Sequence, residues 1–199
     1  PMTAPDPRMA GLPPAVMAMV HAGARALRDG QPQRARQLLE QAVGQAPGHP
    51  EPLRYLAIVL MQQRQLAAAR QTLQRALALA PDDALLHSDL ATTHTAMGNM
   101  DAALAGWRHA VARDPRLMSA WFNLGRNLQQ QGETEAAIAA LTQACDLAPQ
   151  ALPPRVLLGD ALVHAGRFAA AAGHYRAALA VHPACAGAWR GLSTTKTAP

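Results

Sequence analysis

Two histidines seven residues apart, His87 and His94, have the types and spacing to bring two imidazoles onto one helix face, where they could share a metal ion. Two thiols, Cys145 and Cys185, stand forty positions apart, a separation that fits neither a metal-ligand motif nor a disulfide framework. As a nucleophile either would need a histidine partner on a second motif, and none is identifiable. The chain has no G-x-x-x-x-G-K-[ST] loop and no dinucleotide-binding glycine fingerprint. It is therefore read as non-enzymatic, without metal or cofactor, and the histidines as groups that pack or hydrogen-bond between helices.

Composition narrows the class further. Of 199 residues, 46 are Ala and 26 Leu, against ten Val and Ile together, so the apolar half consists of helix formers. The net charge of +5 and a pI near 10.2 raise the question of nucleic acid. However, the 17 Arg and single Lys are scattered among acids, and seven aromatic residues are too few for a base-stacking platform. No apolar run approaches the roughly 18 residues that would cross a bilayer, and the start lacks the order of a secretory signal. The expected partner is a protein or peptide, with no nucleic acid and no membrane, and the expected location is the cytoplasm.

The elements follow from where proline recurs. Pro47, Pro81, Pro115, Pro149 and Pro183 are each 34 residues apart. Each should mark the turn after a helix, because proline lacks the N–H that continues one. The spacing predicts five repeats, 16–49, 50–83, 84–117, 118–151 and 152–185. Within them small residues recur at position 8 (Gly23, Ala57, Ala91, Gly125, Gly159). Alanine holds position 20 (Ala35, Ala69, Ala103, Ala137, Ala171) and position 27 (Ala42, Ala76, Ala110, Ala144, Ala178). Position 24 is large: Leu39, Leu73, Trp107, Leu141 and Tyr175. Knobs facing holes at this spacing predict two closely packed helices per repeat. Gly30, Gly98, Gly132 and Gly166 fall between the helices, with Arg64 in their place in the second copy.

These residues resemble the tetratricopeptide repeat, whose pattern is W-x2-L-G-x2-Y, then A-x3-F, then A and P. The fourth copy fits best, with Trp121, Leu124, Gly125, Ala137, Leu141, Ala144 and Pro149, and Leu128 in place of the tyrosine. His87 and Arg155 depart from it at position 4, as does His94 at position 11. The resemblance implies an all-α, right-handed solenoid of five repeats plus a C-terminal helix. It also implies that the first helices line a groove that takes up a peptide, through positions 2, 5, 6, 9, 12 and 13. On those positions the expected contacts are Arg54, Tyr55, Asp89, Thr92, Phe122, Asn123, Arg126 and Gln130. Asn can bond a peptide amide on both sides and Arg can fork onto a carboxylate. The family's carboxylate clamp does not fit, since Asp89 stands where an asparagine should. Its asparagine ladder does not fit either, since Asn123 is a single rung.

The ends are expected to differ from the middle. Residues 1–15, rich in proline and with Pro1 before Met2 like a cleavage remnant, should be loose, as should 194–199, while 186–193 should form a partial capping helix. The run AWRGLSTTKT, residues 188–197, resembles the segment joining repeats to the catalytic part of bacterial sulfotransferase fusions. That resemblance implies a substrate-recruiting arm as an alternative. A third reading is self-association through the C-terminal helix, at the exposed end near Trp189.

Overall fold

The computed structural model describes residues 6–196, in which there are eleven α-helices and no strand. They are α1 (Pro14–Arg28), α2 (Pro32–Gln45), α3 (Pro50–Gln62), α4 (Leu66–Leu79), α5 (Ala84–Ala96), α6 (Met100–Arg113), α7 (Met118–Gln130), α8 (Thr134–Leu147), α9 (Leu152–His164), α10 (Phe168–Val181) and α11 (Ala186–Lys196). Odd-numbered helices begin the repeats and even-numbered ones complete them. The chain groups into two compact units divided between Gly106 and Trp107, inside α6, a division that the 34-residue period does not announce. No helix of the described residues is long and apolar enough to cross a membrane.

Two devices recur along the chain, the first in all five repeats and the second from the third repeat onward. The first helix ends where residue 15 of the repeat turns left-handed, at φ 70° for Gly30, 80° for Gly98, 78° for Gly132 and 73° for Gly166. The next N–H then reaches back to a carbonyl five residues earlier, as from Gln31 to Ala26 and from Glu133 to Leu128, at 2.8 and 2.9 Å. Arg64 adopts the same conformation at φ 61° in the second copy, so the turn persists there without glycine, at the steric cost of a Cβ. The second device explains the departures at position 4. The indole N–H groups of Trp121 and Trp189 donate to the carbonyls of Pro115 and Pro183 at 2.9 and 2.8 Å. His87 Nε2 lies 2.8 Å from the Pro81 carbonyl, and an Arg155 guanidinium N–H donates to that of Pro149. What these residues share is an N–H at reach of the turn carbonyl six residues back, so His87 serves the turn. His94, half-buried, has its pKa lowered by burial and by the charge of Arg70.

Packing follows the predicted register. The position 20 and 27 alanines are unexposed, and the position 24 side chains are at most 1% exposed. Their partners have no room for growth. A Cβ on Gly23 would lie 2.7 Å from Leu39 Cγ, and one on Gly125 2.6 Å from Leu141 Cγ. Tyr175 is gripped on two sides, since a Cβ on Gly159 or on Gly191 would fall 2.5 or 2.2 Å from its ring. Most of the stretch carrying the sulfotransferase resemblance thus belongs to the last packing helix, with Ala188 and Leu192 buried in the cluster around Tyr175.

The ends depart from expectation. Residues 6–15 are not loose: Pro7–Met9 is a short 3-10 helix, Met9 and Leu12 are buried at 3% and 7% exposure, and α1 already starts at Pro14. Apolar burial outweighs the proline-rich composition there. At the other end α11 continues through Lys196, past the predicted limit of 193. The remainders of both predicted loose segments, 1–5 and 197–199, lie outside the described residues.

One substitution made at two places separates packing from helix propensity. Gly159→Ala should destabilise by about 1–3 kcal/mol through collision with Tyr175. Gly173→Ala, in α10 with nothing near its Cβ, should stabilise by about 0.5–1 kcal/mol. Urea unfolding of both variants checks the sign.

Candidate functional site

The predicted contacts fall on two faces, one in each unit. On the first, α3 and α5 carry Arg54, Tyr55, Asp89 and Thr92. The structure brings three of these together. Arg54 donates through Nε and Nη2 to Glu51 Oε1 at 3.0 and 2.7 Å, and through Nη1 to Asp89 Oδ2 at 3.2 Å. Its guanidinium stacks over Tyr55, 4.6 Å from the ring centroid. Thr92 stands apart, its hydroxyl donating to the Ser88 carbonyl at 3.0 Å.

Sequence reasoning placed Glu51 on this face but did not single it out, and it missed the segment that covers it. Glu51 is 1% exposed, with its second oxygen held by Arg8 Nε at 3.0 Å. Arg8 also forks onto Asp83, Nη2 to Oδ2 at 2.7 Å and Nη1 to Oδ1 at 3.3 Å. The i, i+3 spacing of Glu51 and Arg54 was a local signal. The contact from Arg8, 43 residues from Glu51 and 75 from Asp83, had none.

Electrostatics here is a balance of burial against pairing. Burial opposes the charge of Arg54, but the hydrogen bonds and charge of Glu51, with those of Asp89, outweigh it and raise the pKa. For Arg8 the same opposition is overcome by Asp83 and Glu51. Burial would raise Asp83, yet Arg8 and the amides of Leu86 and Leu85 hold its carboxyl below the usual range. Asp89 goes the other way: burial raises it, and Arg54 only partly compensates.

The second face belongs to α7 and α9. Arg126 lies over the Phe122 ring, 5.6 Å from its centroid. Both line a trough of about 340 Å³ with Leu152, Val156, Leu157 and Asp160. A polar recess of about 410 Å³ shares Val156 and Asp160 with it and runs on to His164, Tyr175 and Arg190. Between the two, Asp160 accepts the Tyr175 hydroxyl at 2.6 Å. Burial first, then the bond and charge of Asp160, raise the Tyr175 pKa, so the phenol stays a donor. Gln130 is exposed and Asn123 half-exposed, neither of them lining the trough. Asn127, unpredicted and 1% exposed, donates to the Asn123 carbonyl at 2.9 Å. Cys145 is buried in the core and its thiol is pushed up by that burial, which disfavours the nucleophilic thiolate.

Family models of the tetratricopeptide repeat match residues 26–88 and 60–128, which together span more than half of the chain, and others match 119–151 and 156–194. These matches give the sulfotransferase resemblance no support. No curated protein sequence matches the chain. Among solved structures it is similar to TTC0263, a thermophilic TPR protein of Thermus thermophilus, with a TM-score of 0.73 and 22% identity over 92% of this chain and 99% of that one. It is also similar to MamA, with a TM-score of 0.68 and 19% identity over 85% of this chain and 92% of that one. A third is YrrB, a TPR protein with an unusual peptide-binding site, at 0.68 and 15% identity over 89% and 92%.

Asp83→Asn keeps an N-cap for α5 but removes the charge facing Arg8. Because the folded Asp83 carboxyl lies below its ordinary value, its contribution is complete above that value and fades as pH falls through the folded one. The variant should be about 1 kcal/mol less stable at neutral pH. In urea titrations at decreasing pH the gap should close once Asp83 protonates in the native state.

Proposed function

Because the chain belongs to the tetratricopeptide repeat family, we propose that it is a protein-interaction scaffold that takes up a segment of a partner protein on the face of α7 and α9. One observation carries this reading: an apolar trough whose lining includes a cation, Arg126, and a carboxylate, Asp160, the latter shared with a polar recess. Phe122, Leu152, Val156 and Leu157 would receive an apolar side chain. Arg126 would meet an acidic group or the peptide carbonyls, and Asp160 a donor. The Tyr175 hydroxyl fixes the Asp160 carboxylate, so part of the ordering cost of binding is met in advance. The peptide-binding site in the name of YrrB agrees with this reading in kind. The chain would thus act by binding rather than by catalysis.

A second reading, self-association through α11, draws on Trp189, which is 55% exposed while its N–H is tied to Pro183.

Peptides selected from a random display library on the wild-type chain test the first reading. Arg126→Ala should weaken the selected peptides by at least about tenfold, or 1.4 kcal/mol, with little change in melting temperature. Unchanged affinity would remove the trough from the site. Light scattering of wild type and Trp189→Ser would test the second, a concentration-dependent dimer lost in the variant being its expected outcome.

A further inference from the structure

We propose that residues 6–12 are a ligand built into the chain: they fill a docking site for an arginine followed by an apolar side chain at the N-terminal ends of α3 and α5, and a partner segment carrying that pair gains the site by displacing them. The site is separate from the trough of α7 and α9, so either can fail alone.

The seat is organised by groups other than Arg8. Glu51 Oε1 is held by two guanidinium N–H groups of Arg54, which leaves Oε2 turned to Arg8. Asp83 Oδ1 accepts from the backbone N–H groups of Leu85 and Leu86 at 2.9 and 3.0 Å, as the N-cap of α5. Two carboxylates, one in the first turn of α3 and one capping α5, are therefore aimed before an arginine arrives. Arg8 fits them as a bound guanidinium would, with Nε on one and the terminal nitrogens forked onto the other.

The segment is attached as a peptide ligand is attached. Its backbone bonds are its own: Met9 to Asp6, Ala10 to Pro7 and Leu12 to Met9, at 2.9, 3.2 and 3.1 Å. Beyond the arginine it is held by the buried side chains of Met9 and Leu12 and by a 3.1 Å contact of His49 Nε2 with the Ala10 carbonyl. A recess of about 350 Å³ lies between Pro7, Met9 and Leu12 of the segment and Met17 and His21 of α1. A cover held by one charged anchor and two apolar side chains, and joined directly to α1, competes at the millimolar effective concentration of a short tether. A partner with the same anchors replaces it charge for charge, so Glu51 Oε2 is never left buried without a donor.

The test uses the full chain and a fluorescent peptide with the sequence Pro-Asp-Pro-Arg-Met-Ala-Gly-Leu, that of residues 5–12. Arg8→Glu sets like charges against Glu51 and Asp83 and should drive the segment out, seen as faster hydrogen exchange at Met9, Ala10 and Leu12. By fluorescence polarisation the uncovered variant should bind the peptide at least about tenfold more tightly than wild type. A peptide with alanine for arginine should bind neither chain. If Arg8→Glu compromises folding, Arg8→Ala takes its place with the same expected direction. Uncovered amides without a gain in peptide binding would overturn the proposal, as would amides that stay protected in both variants.

Discussion

Leu39 on Gly23, Leu141 on Gly125 and Tyr175 on Gly159 are the same contact made three times, a large side chain against a residue with no room for a Cβ. It sets how near the second helix of a repeat comes to the first, and the remaining order depends on that spacing. Helices this close leave the small residues at positions 20 and 27 wholly buried and turn the opposite side of the first helix outward. The two kinds of turn are held by separate means, a left-handed residue between the helices of a repeat and, from the third repeat onward, an N–H donor at position 4 on the turn that precedes it. The pattern therefore survives Arg64 in place of glycine, and His87 or Arg155 in place of tryptophan.

The two faces use that scaffold differently. Around Glu51 the chain buries charge, which costs desolvation that only close pairing offsets. Glu51, Arg54, Asp83, Asp89 and Arg8 achieve this as a network in which each carboxylate bonds at least one guanidinium. Such a network rewards one register and penalises others, since a shift of any partner strands a charge. It also explains why residues predicted as free contacts, Arg54 and Asp89, are engaged within the chain. On α7 and α9 the polar groups Arg126 and Asp160 help line an apolar trough, and Tyr175 serves the core with its ring and Asp160 with its hydroxyl.

Much of the fold was legible because helical packing writes itself locally. The 34-residue proline period, the alanines at 20 and 27 and the knob at 24 fixed the repeat limits to within a few residues of the observed helices. The candidate site was legible only in part. Phe122 and Arg126 sit together, as do Arg54, Tyr55 and Asp89, because residues three to five apart or in register between repeats share a face. Gln130 and Asn123 gave the same signal as Phe122 and do not line the trough. Asp160 was on the outward face of the pattern, but its tie to Tyr175 depends on how far α10 leans on α9.

The sequence by itself determined the unit, its number and its register, because each rests on contacts between residues fewer than 34 apart that recur five times. Only the tertiary structure decided the fate of residues 6–12. Their composition speaks for a loose segment, and the groups that hold Arg8 lie 43 and 75 positions away, at the two ends of the second repeat. No periodicity carries such a pairing. It exists because the closely packed helices bring two carboxylates to one place, and one arginine satisfies both.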